Sequence, residues 1–210
     1  MLRKTLPYSY SYAAFIIIGI NILIFLINSI APSTRMYLAM NPILVVKRHF
    51  YWQVVTYMFA HANITHILFN MIGLFFFGVQ IEKQMGSREF LLFYFLTGTF
   101  AGIFSLAVYW ISGTPQVWLL GASGAVFAVL LAFATLFPHA RIYVFGIIPI
   151  RAPILVLIYT GIELMSQIFA TRSRVAHLTH LAGFAVAYLY FLIRQQINPI
   201  KVFFGSNRRY

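Results

Sequence analysis

The chain has 210 residues, 61% of them hydrophobic, 18% aromatic and only 9% charged, with a mean hydropathy of +0.86. A soluble domain carries about 25% charged side chains, so lipid must cover most of this surface and the chain reads as an integral membrane protein. The net charge of +12 does not point to nucleic acid, because the basic residues sit between apolar runs, where they set membrane orientation; the absence of cysteine excludes disulfides and thiolate chemistry.

Residues 1–12 are a short polar lead carrying Arg3 and Lys4. Ala13 to Ile30 is the first expected span; Ser29-Ile30-Ala31 resembles a cleavage site, but the apolar core exceeds the roughly 7–15 residues of a signal peptide. Residues 31–57 form a long connection whose Tyr51-Trp52 pair, Lys47 and Arg48 suit the membrane interface. Five further apolar runs follow, near 60–81, 90–111, 117–137, 152–170 and 175–193. Each approaches the ~20 residues that cross ~30 Å of hydrocarbon. The connectors are 83–89, 112–116, 138–151 and 171–174, and 194–210 is a basic tail.

Six spans place both ends on one side. With the N-terminus inside, the inner segments hold Arg3, Lys4, Lys83, Arg88, Arg141, Arg151, Arg194, Lys201, Arg208 and Arg209, and the outer ones Arg35, Lys47, Arg48, Arg172 and Arg174. The excess favours N-in, C-in by the positive-inside rule. Spans two, four and six then run from outside to inside. His61, His66 and Asn70 begin the second, Ser123 the fourth, and His177 and His180 the sixth. Polar residues inside a membrane are costly and mark function, and these fall at one depth near the outer face.

Ser123 lies in Gly121-Ala122-Ser123-Gly124. From it to Phe137 a helix would measure about 22 Å, too short to span alone. A helix beginning at the serine would put irregular backbone in the membrane, tolerated only where protein buries it or water reaches it. The serine would then occupy a helix N-terminus, whose free N–H groups suit a developing oxyanion. Gly124 with Ala128, and Gly183 with Ala187, form small-residue faces that would let two spans approach closely and bring His180 to Ser123. The chain contains no aspartate, so a hydrolytic site here is expected to be a serine–histidine pair. His177 is expected to support or pack beside the pair. His66 and Asn70, at i and i+4 on one helix face, could donate toward an oxyanion; His61 is the weakest member of the group. Glu163 lies within span five with no evident histidine partner and is expected to be structural or gating. Glu82 and Glu89 are expected to be solvated or paired in a basic loop.

The pattern His61-Ala-Asn-Ile-Thr-His66-Ile-Leu-Phe-Asn70, the turn Glu82-Lys-Gln-Met-Gly86, Gly121-Ala-Ser123-Gly124 and His180-Leu-Ala-Gly183 together resemble the rhomboid family of intramembrane serine proteases. The resemblance covers roughly residues 50–190. It implies an all-α, six-transmembrane-helix bundle over 13–193, with the lead 1–12 and the tail 194–210 cytoplasmic, that cleaves transmembrane protein substrates within the lipid bilayer. Ser123 would be the nucleophile and His180 the general base, with His66, Asn70 and the Ser123 N–H as oxyanion hole. Gly121, Gly124, Phe127, His177 and Gly183 would support them. Phe127 stands where the family often has a tyrosine stacked on the histidine, and Trp52-Gln53 stands for its Trp-Arg pair. No cofactor, metal or nucleic acid is expected, and a bacterial inner membrane is the expected location. Two other readings remain: a non-catalytic rhomboid-like client-binding protein, and a metal or haem protein ligated by His61, His66, His177 and His180.

Overall fold

The first helix, α1 (Ala13–Ile30), begins on a borrowed cap. Its flanking residue Tyr12 gives no side-chain hydrogen bond. Instead the Glu82 carboxylate accepts from the N–H of Ala13 at 2.6 Å and of Ala14 at 2.9 Å. An acid at a helix start satisfies orphan donors and faces the positive end of the helix dipole. Glu82 also accepts from the Ser87 hydroxyl and is fully buried. Glu89 is likewise buried, bonded to Arg194, Tyr190, Gln195 and the N–H of Leu6. Of the two alternatives, solvated or paired, the solvated one is corrected for both: Glu89 is paired, with Arg194 of the expected tail, and Glu82 is an internal tie, because an acidic group leaves water only where donors meet it.

The computed structural model describes residues 5–144, 146–169 and 174–205. Arg3, Lys4, Arg172, Arg208 and Arg209, which enter the orientation count, lie outside the described residues, as do residues 171–173 of the expected 171–174 connector.

After α1 the chain folds into three short helices, α2 (Thr34–Leu38), α3 (Pro42–Arg48) and α4 (Gln53–Thr56). Asn41 caps α3 and Pro42 opens it, a combination suited to a helix start. Gln53 is fully buried; its Oε1 accepts from the Asn41 N–H at 3.0 Å and its Nε2 donates to the Met36 carbonyl at 2.9 Å. With Trp52 Nε1 donating to the Tyr37 carbonyl at 2.8 Å, this amide ties the loop where an arginine stands in the family pattern. Tyr57 and Met58 then lean on glycines of the third long helix. The Tyr57 hydroxyl donates to the Gly98 carbonyl at 2.7 Å, and a Cβ on Gly98 would meet the Met58 sulfur.

The runs expected near 60–81 and 90–111 are the helices α5 (Ile64–Met85), which contains a π-helical turn at Leu74–Gly78, and α6 (Ser87–Ile111). Together with α1 these are the three helices long and apolar enough to cross a membrane among the described residues. The fourth run, 117–137, carries a helix that begins at the serine and is as short as that start implied: α7 (Ser123–Leu136) has 14 residues, about 21 Å. It is apolar all round and buried along its length, as a central helix wrapped by others should be. The connector 138–151 contains an antiparallel hairpin, β1 (Arg141–Val144) and β2 (Ile148–Arg151), with Arg141 opposite Arg151. This departs from a purely helical expectation: the turn at Gly146 adopts φ +73 and lets short flanking runs pair. Then come α8 (Ala152–Phe169), α9 (Arg174–Tyr190), a π-helical turn at Phe191–Gln195 and α10 (Pro199–Phe204).

α9 packs on α7 and α6. A Cβ on Gly183 would lie 2.1 Å from the Gly124 carbonyl oxygen, so the two backbones touch where the small-residue faces were expected to meet. The Ser105 and Thr179 hydroxyls, 2.5 Å apart, tie α6 to α9 nearby.

Candidate active site

The backbone leading to Ser123 is irregular, and the long connection 31–57 supplies its hydrogen bonds. Met40 and Leu119 exchange both N–H···O bonds at 2.8 and 2.9 Å. The Gly121 N–H donates to the Tyr57 carbonyl at 2.9 Å, and Asn41 Nδ2 to the Val117 carbonyl at 3.0 Å. Such backbone is stable beside a membrane only when protein satisfies it. Gly121 is required on two counts. Its φ is +114, and a Cβ there would lie 2.5 Å from the Cε1 and Nε2 atoms of His66.

α7 starts at Ser123, with no side chain capping its first turn, so free N–H groups point past the serine toward the space above it. Ser123 Oγ lies 2.8 Å from His180 Nε2. The contact follows from the Gly124–Gly183 approach, which sets α7 and α9 close enough for a short hydroxyl to meet a ring. Phe127, one turn along α7, stacks on that ring with centroids 4.3 Å apart and planes 12° from parallel. The expected ring-on-ring geometry is present, with no hydroxyl involved.

Glu163 corrects the sequence reading. Its Oε1 lies 3.0 Å from His180 Nδ1 and its Oε2 2.5 Å from His177 Nδ1. The acid described as lacking a histidine partner has two, and the serine–histidine pair carries a third member. A usable signal was present: Glu163 lies past the midpoint of α8, and a span running opposite to the expected fourth and sixth would carry that half toward the ends that hold Ser123 and His180.

His66 and Asn70 line one cavity with Ser123, Phe127 and His180. His66 is partly exposed, whereas Asn70 is buried and its Nδ2 donates to the His66 carbonyl at 3.1 Å. His61 is the other correction. Weighed as the weakest member of its group, it is fully buried, its ring 5.1 Å from that of His66, and its Nε2 accepts from the Ala122 N–H at 3.5 Å. It backs the loop that carries the serine.

The cavity is a cleft of about 1160 Å³. α7 forms its floor; His66, Phe69 and Phe76 of α5 form one wall and Leu155 and Tyr159 of α8 the other, and it reaches Arg141 of the hairpin. Among the described residues, the groups within 4.8 Å of one another that could hold a metal are Glu163, His177 and His180. His61 and His66 are not part of that group, so the four-histidine set weighed from the sequence is not assembled.

These features define an integral membrane protein in which a serine hydroxyl meets an imidazole inside a helical bundle. A family model for the rhomboid domain matches residues 48–196, and the chain belongs to the rhomboid family. It is 35% identical over 147 residues to RHOMBOID-like protein 12, mitochondrial, of Arabidopsis thaliana, covering 63% of this chain and 43% of that protein. It is 31% identical over 162 residues to RHOMBOID-like protein 1 of the same plant (75% and 39%), and 30% over 149 residues to Rhomboid protein 1, mitochondrial, of Saccharomyces cerevisiae (68% and 40%). The chain spans about two fifths of the length of these relatives.

Proposed function

We propose that the chain is an intramembrane serine protease that hydrolyses peptide bonds in or near transmembrane helices of other membrane proteins. The observation that carries this reading is the 2.8 Å contact between Ser123 Oγ and His180 Nε2, made across two helices at the head of an apolar cleft. Ser123 Oγ attacks the scissile carbonyl carbon while His180 Nε2 takes its proton. The carbonyl oxygen, now negative, is met by the Ser123 N–H and by the side chains of His66 and Asn70; removing one such donor costs about 10²–10³-fold in rate. His180 returns the proton to the departing amine as the C–N bond breaks, and water then hydrolyses the acyl-enzyme by the same route.

The bilayer arrangement proposed is six spans over 13–193 with both ends inside, the lead 1–12 and the tail 194–210 lying in the cytoplasm. A helix shields its own peptide bonds, so a substrate must unwind locally to reach the serine. The apolar cleft between α5 and α8 supports lateral admission of such a segment. Substrates with weak helix formers near the cut should be favoured. The relatives bearing mitochondrial names do not support the bacterial inner membrane, and the proposal extends only to residence in a bilayer.

The test is activity-based labelling of the detergent-solubilised chain with a fluorophosphonate, alongside cleavage of a single-span substrate in proteoliposomes. Labelling and cleavage are expected for the unaltered protein and neither for Ser123→Ala. Equal cleavage by both would leave a client-binding protein as the reading.

A further inference from the structure

The chain has three acidic residues, and two are committed elsewhere, Glu82 to the start of α1 and Glu89 to Arg194. The third, Glu163, is buried at the pair described above. We propose that Glu163 is a positioning residue for His180, so that the site is a serine–histidine–glutamate relay; this rests on the protease reading.

The argument is one of donors and acceptors. An ionised carboxylate only accepts hydrogen bonds, so the 3.0 Å contact with Glu163 Oε1 assigns the proton to His180 Nδ1. In the neutral ring Nε2 then has a free lone pair, directed at the Ser123 hydroxyl 2.8 Å away. Without the carboxylate the ring could equally carry its proton on Nε2, where it cannot act as a base. The acid also stabilises the imidazolium formed once the serine proton is taken. His177 holds the other carboxylate oxygen at 2.5 Å, which fixes the orientation of the acid as well as its location. Phe127 covers one face of the ring. The imidazole is thus held at one edge and on one face, leaving Nε2 directed at the serine.

Two simpler roles fit less well. A gate on α8 would act on the incoming helix rather than bond the base. On a metal ion, ligands at about 2.0–2.2 Å in tetrahedral array stand ~3.3–3.6 Å apart, whereas these nitrogens lie 2.5 and 3.0 Å from the carboxylate oxygens, at direct hydrogen-bond distances.

The decisive measurement is the second-order rate of Ser123 labelling by a small fluorophosphonate on the full chain in detergent, which does not depend on how a helical substrate is admitted. Labelling of the unaltered protein and not of Ser123→Ala establishes the nucleophile; absence of labelling would overturn the protease reading and this relay together. With the nucleophile established, Glu163→Gln is expected to label about 10²–10⁴-fold more slowly. Its kcat on a single-span substrate should fall by a similar factor with KM within about threefold, the pattern of an interaction made only in the transition state. Glu163→Asp, which keeps the charge, should recover part of the rate. Labelling of Glu163→Gln at the unaltered rate, with only KM changed, would show a gate and sink the relay. Should Glu163→Gln fold poorly, ¹⁵N-histidine NMR of the unaltered protein decides instead, with the His180 signals assigned through His180→Asn. The Nδ1–H tautomer is expected, and the Nε2–H tautomer overturns the proposal.

Discussion

Gly183 presses against the backbone of Gly124, so closely that a Cβ at the first would stand 2.1 Å from the carbonyl oxygen of the second. The obstructing atom is backbone and cannot swing aside. Gly183→Ala must therefore push α9 away from α7, and His180 moves with α9. Overpacking of this kind costs about 1–3 kcal/mol. The expected result is a lower unfolding temperature together with at least tenfold slower labelling of Ser123. Gly19→Ala, where a Cβ meets nothing within 4 Å, is the control: it should leave labelling unchanged and not lower the unfolding temperature, since alanine favours a helix interior by about 0.5–1 kcal/mol.

Phe127 acts through its ring. Its face-to-face contact with His180 is apolar, and an aromatic pair contributes about 0.5–1.5 kcal/mol. Phe127→Ala is expected to lower kcat about three- to tenfold as the imidazole gains freedom. Phe127→Leu, which fills the volume without a flat face, should lie between. A steady-state comparison on one substrate checks the order, and equal kcat for all three proteins would remove the stack from the account.

Glu82 caps a helix that is remote from it in sequence. Glu82→Ala leaves the buried N–H groups of Ala13 and Ala14 without their acceptors, at about 1–3 kcal/mol for each unsatisfied group. Thermal unfolding should drop clearly. Because the cap lies away from the cleft, the protein that remains folded should label at the unaltered rate. A labelling defect without a stability defect would contradict this assignment.

The Glu89–Arg194 tie makes a different prediction. Arg194 Nε and Nη2 meet the two Glu89 oxygens at 2.5 and 2.9 Å. Removing one member of a buried pair leaves an unmatched charge and costs about 3–5 kcal/mol, whereas replacing both with apolar residues costs far less. Arg194→Met alone should destabilise strongly, and adding Glu89→Leu should restore part of the loss. A double-mutant cycle by chemical unfolding reads the coupling, and simple additivity of the two losses would rule it out.

The amino-acid sequence by itself determined the membrane class, the order of the apolar runs and the grouping of Ser123, His180, His66 and Asn70, which line one cleft, because hydropathy and residue spacing act along each helix axis. It also marked the small faces of Gly124 and Gly183. It misjudged what depends on the direction each helix face points. Glu163 came out unpartnered, His61 the weakest of its group and Glu82 a loop acid, solvated or paired, yet all three are buried and bonded to residues distant in the chain. Only the tertiary structure decided those matters, since a helix that is apolar on most sides has little in its sequence to fix its rotation about its own axis. The rotation of α8 that turns Glu163 toward His180 is fixed by contacts with α7 and α9, and such contacts exist only once the bundle has formed.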